Sequence, residues 1–186
     1  MFIIKNNYYL YIENTKHVNF NYLKNCKKIS IIYRNSNITE NIVHLICLRK
    51  KCKRKKIKFY VANNLKLAKQ CKADGLYISS YNKKKYLYNN LNLIGSAHSF
   101  KEIYEKKKQG CKTIILSRLF KTSYKNKKTY FGIIKFNLMV RNYKTNFIAL
   151  GGINSNNLLM LNLVNCCGFA LLSEVKKKPV ITNRLF

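Results

Sequence analysis

The chain has 186 residues, 47% of them apolar, which is enough to bury one sizeable core and too few for several domains. Thirty-seven Lys and Arg against six acids give a formal charge of +31. No apolar stretch is long enough to span a bilayer, and seven scattered cysteines in no ligand spacing argue against both a disulfide scaffold and a zinc site.

Short apolar runs recur along the chain and predict eight strands, at 9–12, 29–33, 57–61, 75–78, 91–94, 113–116, 147–150 and 169–172. Segments of helical spacing lie between most of them, at 38–52, 65–71, 99–109 and 158–164. Strands that read as near-continuous apolar runs are buried on both faces, as in a parallel sheet covered by helices. Eight such repeats predict an α/β fold closed into a small (β/α)8 TIM barrel, with an open doubly wound sheet of fewer strands as the alternative. One crossover is reduced: residues 79–90 (SSYNKKKYLYNN) are too short and polar for a full helix. The chain reads as a single domain over 1–186, with a loose tail after residue 175.

The charge has two readings. Abundant Lys, Asn, Ile and Tyr, no Trp and the single Pro179 are the usage expected of AT-rich coding, which makes lysine the default surface residue. Runs such as 49–56 (RKKCKRKK) then form solvated faces. The other reading, a polyanion site, fits less well, because the aromatic residues fall in core-like runs and are not interleaved with lysines as a stacking platform. Neither nucleic acid nor membrane is therefore expected as a partner. Cys26, Cys47, Cys52, Cys71, Cys111 and the adjacent Cys166 and Cys167 fit reduced thiols, and the N-terminal MFIIKNNYY lacks a signal-peptide layout, so a cytoplasmic location is expected.

In a barrel of this kind, chemistry sits where the C-terminal strand ends meet the following loops. The residues just past the predicted strands are Arg34, Asn63 and Asn64, Ser79 and Ser80, Ser96 and His98, Ser117 and Arg118, Gly151 and Gly152, and Ser173. They converge on an anion pocket with a single good proton-transfer group. Gly151 and Gly152 stand between a predicted strand and a segment, 154–164, that reads as the start of a helix. Bare glycine amides at a helix N-terminus suit a phosphate. Without a ligand, the same pair is simply a tight strand-to-helix turn.

Five stretches resemble the thiamine phosphate synthase and TenI superfamily of small barrels, in the expected order over most of 29–175. These are 72–78 (KADGLYI), 94–102 (IGSAHSFKE), 117–132 (SRLFKTSYKNKKTYFG), 147–154 (FIALGGIN) and 168–175 (GFALLSEV). The resemblance implies an enzyme of thiamine biosynthesis or salvage that holds a thiazole phosphate against Gly151, Gly152 and Ser173. It also implies a basic residue at Arg34, a small residue at Ser96 before the histidine, and a closing loop carrying Thr122, Ser123 and Lys125. In that loop Lys121 replaces the usual proline and Tyr124 a threonine.

The synthases of this family hold magnesium with acidic residues after the third and fourth strands, where this chain has Asn63 and Asn82. Neutral asparagines are poor ligands for a hard dication, so no metal site is expected. Asp74, the nearby acid, is expected to brace the barrel rim. The resemblance then favours metal-independent tautomerisation of the TenI type, with His98 as proton shuttle; His17 and His44 read as surface or packing residues. Two alternatives stay open. One is a thiamine phosphate synthase joining pyrimidine pyrophosphate to thiazole phosphate with a weakened magnesium site, and the other is a barrel that binds a phosphorylated ligand without chemistry. Self-association is left open, since barrels of this size often pair.

Overall fold

A computed structural model describes residues 7–18, 20, 28–35, 41–86, 91–122 and 129–171. Eight parallel strands close a barrel in chain order: β1 (Asn7–Ile12), β2 (Ile29–Tyr33), β3 (Lys58–Ala62), β4 (Gly75–Ile78), β5 (Asn92–Ala97), β6 (Thr113–Ser117), β7 (Asn146–Leu150) and β8 (Gly168–Leu171). Closure is made by β1 against β8, with Tyr9 opposite Ala170 and Leu10 opposite Leu171. All eight expected strands are present. β5 runs three residues further than its apolar stretch, to Ala97, so Ser96 is a strand residue.

Side chains alternate across each strand, which separates two apolar layers. The barrel interior is filled by Tyr9, Tyr11, Ile32, Tyr60, Tyr77, Ile94, Ile115, Ile148 and Ala170. The opposite faces, including Leu10, Ile31, Phe59, Leu76, Ile114, Phe147 and Phe169, pack under the outer elements. Burial on both sides explains the continuous apolar runs. The interior is unusually aromatic: Tyr11 meets Tyr77 edge to face at 5.5 Å between ring centroids, and Tyr9 lies 6.4 Å from Tyr60. Burial raises the pKa of the Tyr9 phenol to about 12 and pushes that of Tyr11 well above its ordinary value, so both stay protonated at neutral pH.

The outer layer contains α1 (Ile42–Arg54), α2 (Leu65–Gln70), α3 (Phe100–Lys108) and α4 (Gly132–Val140). Asn41, Asn64 and Ser99 cap the first three by accepting a hydrogen bond from a first-turn N–H. α4 occupies a stretch for which the sequence reading named no helix. The basic run 49–56 occupies the C-terminal part of α1 and the turn after it, largely in solvent, while Arg49 turns back to Asp74. Asp74 braces the N-terminal rim, accepting from the Arg49 guanidinium at 2.7 Å and from the Phe59 N–H at 2.7 Å.

One expectation is corrected. The segment after Gly152 does not start an α-helix: residues 155–157 form a turn, and a 3₁₀ helix follows at Leu158–Leu163. A run of asparagines ties this turn together through side-chain bonds to the backbone. Asn154 Oδ1 accepts from the N–H groups of Asn156 and Asn157, and Asn157 Oδ1 accepts from the Asn154 N–H. The α-helix dipole invoked for an anion is therefore absent at this loop.

The β4–β5 crossover carries no helix among its described residues, 79–86. α3 holds it down. Gly95 on β5 lets α3 approach closely, since a Cβ there would lie 2.9 Å from Cβ and Cγ of Lys106. The stem of Lys106 crosses this gap fully buried, and its ammonium donates to Asn82 O at 2.7 Å and Gln109 Oε1 at 2.9 Å. Gln109 Nε2 donates in turn to the carbonyls of Asn82 and Lys84, both at 2.9 Å. Desolvation lowers the Lys106 pKa. Lys106→Ala should cost about 2–3 kcal/mol, from a cavity plus a carbonyl and an amide oxygen that lose a donor. Lys106→Met, which keeps the stem, should cost less; thermal melts of the two variants check the order.

Candidate functional site

The C-terminal ends of the strands surround one cavity of about 350 Å³. Its wall contains Arg34 after β2, Tyr77, Ser79, Ser80 and Tyr81 on and after β4, and Ser96 and His98 on and after β5. Ser117, Arg118 and Thr122 contribute from β6 and its loop, Leu150 to Ile153 from β7 and its loop, and Ala170 and Leu171 from β8. No carboxylate lies among these lining residues, whereas two guanidinium groups do. The cavity therefore favours an anion.

Six of the nine site residues expected from sequence line this cavity: Arg34, Ser96, His98, Thr122, Gly151 and Gly152. Ser123, Lys125 and Ser173 lie outside the described residues. Tyr77 and Tyr81 also line the cavity and were not singled out. The inward alternation along β4 marks Tyr77, but nothing in the sequence marks Tyr81. His44 is an exposed residue of α1.

Gly151 and Gly152 both have left-handed backbones, with φ of 101° and 69°. Without side chains at these two positions an anion can approach the main-chain amides of the turn closely, without a helix. Packing demands the glycines as well. A Cβ on Gly152 would strike the carbonyl oxygens of Lys121 and Phe120, and one on Gly151 would lie 2.8 Å from Cγ of Arg118. The loop after β6 thus lies directly on the β7 turn, anchored by Leu119 N–H to Leu150 O at 2.9 Å and Phe120 N–H to Gly151 O at 3.0 Å. This contact carries Arg118 into the cavity, where its guanidinium donates to Thr122 Oγ1 at 3.4 Å.

His98 follows β5 immediately. Its ring is half exposed, with 49% of the side chain accessible, so it is not a packing histidine. Ser99 accepts from the Glu102 N–H at 3.3 Å, and Glu102 Oε2 accepts from the His98 N–H at 2.6 Å while lying 3.0 Å from His98 Nδ1. The spacing Ser99, Phe100, Lys101, Glu102 is that of a capping box, the sequence signal that could have placed Glu102 beside the histidine.

Magnesium, implied by the family resemblance, does not fit the residues at its expected position. Asn63, held at φ 57°, spends its amide on neighbours. Its Oδ1 accepts from Ser79 N–H at 2.9 Å and Asn82 Nδ2 at 3.1 Å, and its Nδ2 donates to Ser79 Oγ at 2.8 Å and Tyr81 OH at 3.0 Å. Asn82 Nδ2 also donates to Tyr86 OH, and its Oδ1 accepts from the Lys84 N–H. These are neutral groups already in hydrogen bonds, and among the described residues no three His, Cys, Asp or Glu side chains are grouped to hold a metal. Nor is any helix of the described residues long and apolar enough to cross a membrane.

The comparisons with known proteins agree with this geometry. The family description thiamine monophosphate synthase matches residues 22–175. The thiamine-phosphate synthase of Prochlorococcus marinus (strain AS9601) is 27% identical over 141 residues, covering 73% of this chain and 40% of its own length. That of Clostridioides difficile (strain 630) is 26% identical over 159 residues, covering 82% of this chain and 75% of its own. The chain thus spans only about two fifths of the first relative. Among solved structures, the thiamine phosphate pyrophosphorylase of Pyrococcus furiosus superposes with a TM-score of 0.77 at 19% identity, covering 97% of this chain and 93% of that one. A 3-hexulose-6-phosphate synthase shares the barrel at a TM-score of 0.70 and 9% identity. With most of its length matched, the chain belongs to the thiamine monophosphate synthase and TenI family.

Proposed function

We propose that this barrel acts in thiamine biosynthesis or salvage as a metal-independent tautomerase of a thiazole carboxylate phosphate. One observation supports it above the rest: His98, Arg34, Arg118 and the Gly151–Gly152 turn share one mouth, while the acidic metal positions are replaced by a closed network of neutral side chains.

In this reading the ligand's phosphate sits on the Gly151 and Gly152 amides, with guanidinium charge from Arg34 or Arg118 to balance it. His98 takes a proton from one carbon of the thiazole ligand and returns it at another position as the double bond shifts. The composition of the ligand is unchanged, and no leaving group needs a dication. Ser96, beside the histidine, supplies a hydroxyl for the ring substituents, and Thr122 braces Arg118.

A second reading draws on the relatives, which are named thiamine-phosphate synthases. There the same cavity would join a pyrimidine pyrophosphate to the thiazole phosphate, with magnesium bound by groups other than Asn63 and Asn82. Calorimetry separates the two. The tautomerase predicts binding of thiazole carboxylate phosphate whether or not magnesium is present, together with its conversion. Magnesium-dependent binding of the pyrimidine pyrophosphate would instead establish the synthase. Thermal stabilisation by the thiazole ligand without product under any metal condition would reduce the protein to a binder.

A further inference from the structure

We infer that Glu102 is a positioning residue that fixes the tautomer of His98, leaving Nε2 as the proton acceptor of the cavity. The inference rests on the reading of His98 as proton shuttle, but its structural half stands on geometry alone. One carboxylate oxygen, Glu102 Oε2, lies 2.6 Å from the His98 main-chain nitrogen and 3.0 Å from ring Nδ1. An ionised carboxylate only accepts hydrogen bonds, so the Nδ1 facing it carries the proton. In the neutral ring the remaining lone pair is then on Nε2, at the far edge of the imidazole. Free neutral imidazole side chains prefer the opposite tautomer, so the carboxylate reverses a natural bias.

The same oxygen explains why the grip is firm. Glu102 N–H is held by Ser99 Oγ at 3.3 Å in the first turn of α3, and α3 is fixed to the barrel through buried Ile103 and Lys106. The main-chain bond to His98 pins the carboxylate where the ring must meet it. This is a carboxylate–imidazole pair at a capped helix start, with the carboxylate bonding the N–H one residue before the cap Ser99, so a helix start has been placed at the end of β5 where it orients a base. As Nε2 takes the substrate proton, the C–H electron pair passes into the shifting double bond and the ring becomes an imidazolium beside Glu102. When that Nε2 proton is returned to the ligand, the neutral Nδ1–H ring is restored. Glu102 stabilises the charged intermediate state of this cycle without touching the substrate.

The test is the ¹⁵N spectrum of His98 in the full chain, recorded above its titration, in the wild type, Glu102→Gln and Glu102→Ala, with thermal melts to confirm that each variant folds. The wild type should show protonated Nδ1. Glu102→Gln, whose amide oxygen still accepts, should retain that tautomer, while Glu102→Ala should revert to protonated Nε2. Turnover of the thiazole carboxylate phosphate should fall about 10- to 100-fold in kcat for Glu102→Ala, with KM within about twofold and Glu102→Gln intermediate, as for other groups that orient a reacting side chain. A wild-type ring protonated at Nε2, or the same tautomer in all three proteins, overturns the assignment. A tautomer that switches in Glu102→Ala with kcat unchanged, while His98→Asn is inactive, overturns the positioning role. Full activity in His98→Asn would instead defeat the reading of His98 as shuttle, and the spectrum would still decide the ring's orientation.

Discussion

His98→Asn should lower turnover of a thiazole carboxylate phosphate by about 10²- to 10⁴-fold, the range that a positioned proton-transfer group contributes. Binding of the ligand should change little, because the groups proposed to hold its phosphate, Arg34, Arg118 and the Gly151–Gly152 turn, are on other strand ends. Steady-state kinetics and calorimetry on the same variant separate the two quantities. Asparagine keeps a polar group of similar size at the end of β5, and the Glu102 bond to the main-chain N–H of residue 98 survives the change. Turnover at the wild-type rate would end the catalytic assignment, and a matching loss of affinity would make His98 a binding residue.

Gly152→Ala should cost about 2–4 kcal/mol of stability and abolish phosphate binding. A side chain at φ 69° is strained in itself. Its Cβ would also collide with the carbonyl oxygens of Lys121 and Phe120, which are backbone atoms of a loop anchored to β7 by two main-chain hydrogen bonds and cannot swing aside. The loop has to lift, taking Arg118 and Thr122 with it. In a chain of this length that penalty lowers the thermal midpoint by roughly 4–16 °C. Gly151→Ala should be milder in stability, because the nearest atoms are Cβ and Cγ of the Arg118 side chain, and harsher on affinity than on folding, since Arg118 is the group displaced. Thermal melts with and without ligand test both. Equal stability of wild type and Gly152→Ala would show that the β6 and β7 loops do not rest on one another.

The barrel was legible because burial on both faces of a parallel sheet leaves a mark in every strand. Runs such as 29–33 (ISIIY) and 113–116 (TIIL) have no other economical use in a chain whose surface is lysine. The mouth was legible for the same reason. Once the strand ends were placed, the polar residues just beyond them named Arg34, Ser96, His98 and the glycine pair, and the likeness to a family added Thr122 and the missing acids. The local signal failed after Gly152, where a capping residue does not decide how the next turn winds. Asn154 follows an apolar strand and accepts from the N–H groups of Asn156 and Asn157 as a helix N-cap would, yet the segment beyond winds as a 3₁₀ helix.

By itself, then, the sequence determined the number and order of strands, the face on which polar residues gather, and the loss of carboxylates after β3 and β4. All of these follow from residue type and position along one strand or loop. The tertiary structure alone decided which loops touch. It set the β6 loop on Gly152, threaded the stem of Lys106 past Gly95, and closed Asn63 against Ser79 and Asn82. These contacts are made across strand ends or between helix and sheet, where the distance between two atoms depends on barrel closure and helix docking, which no local spacing encodes.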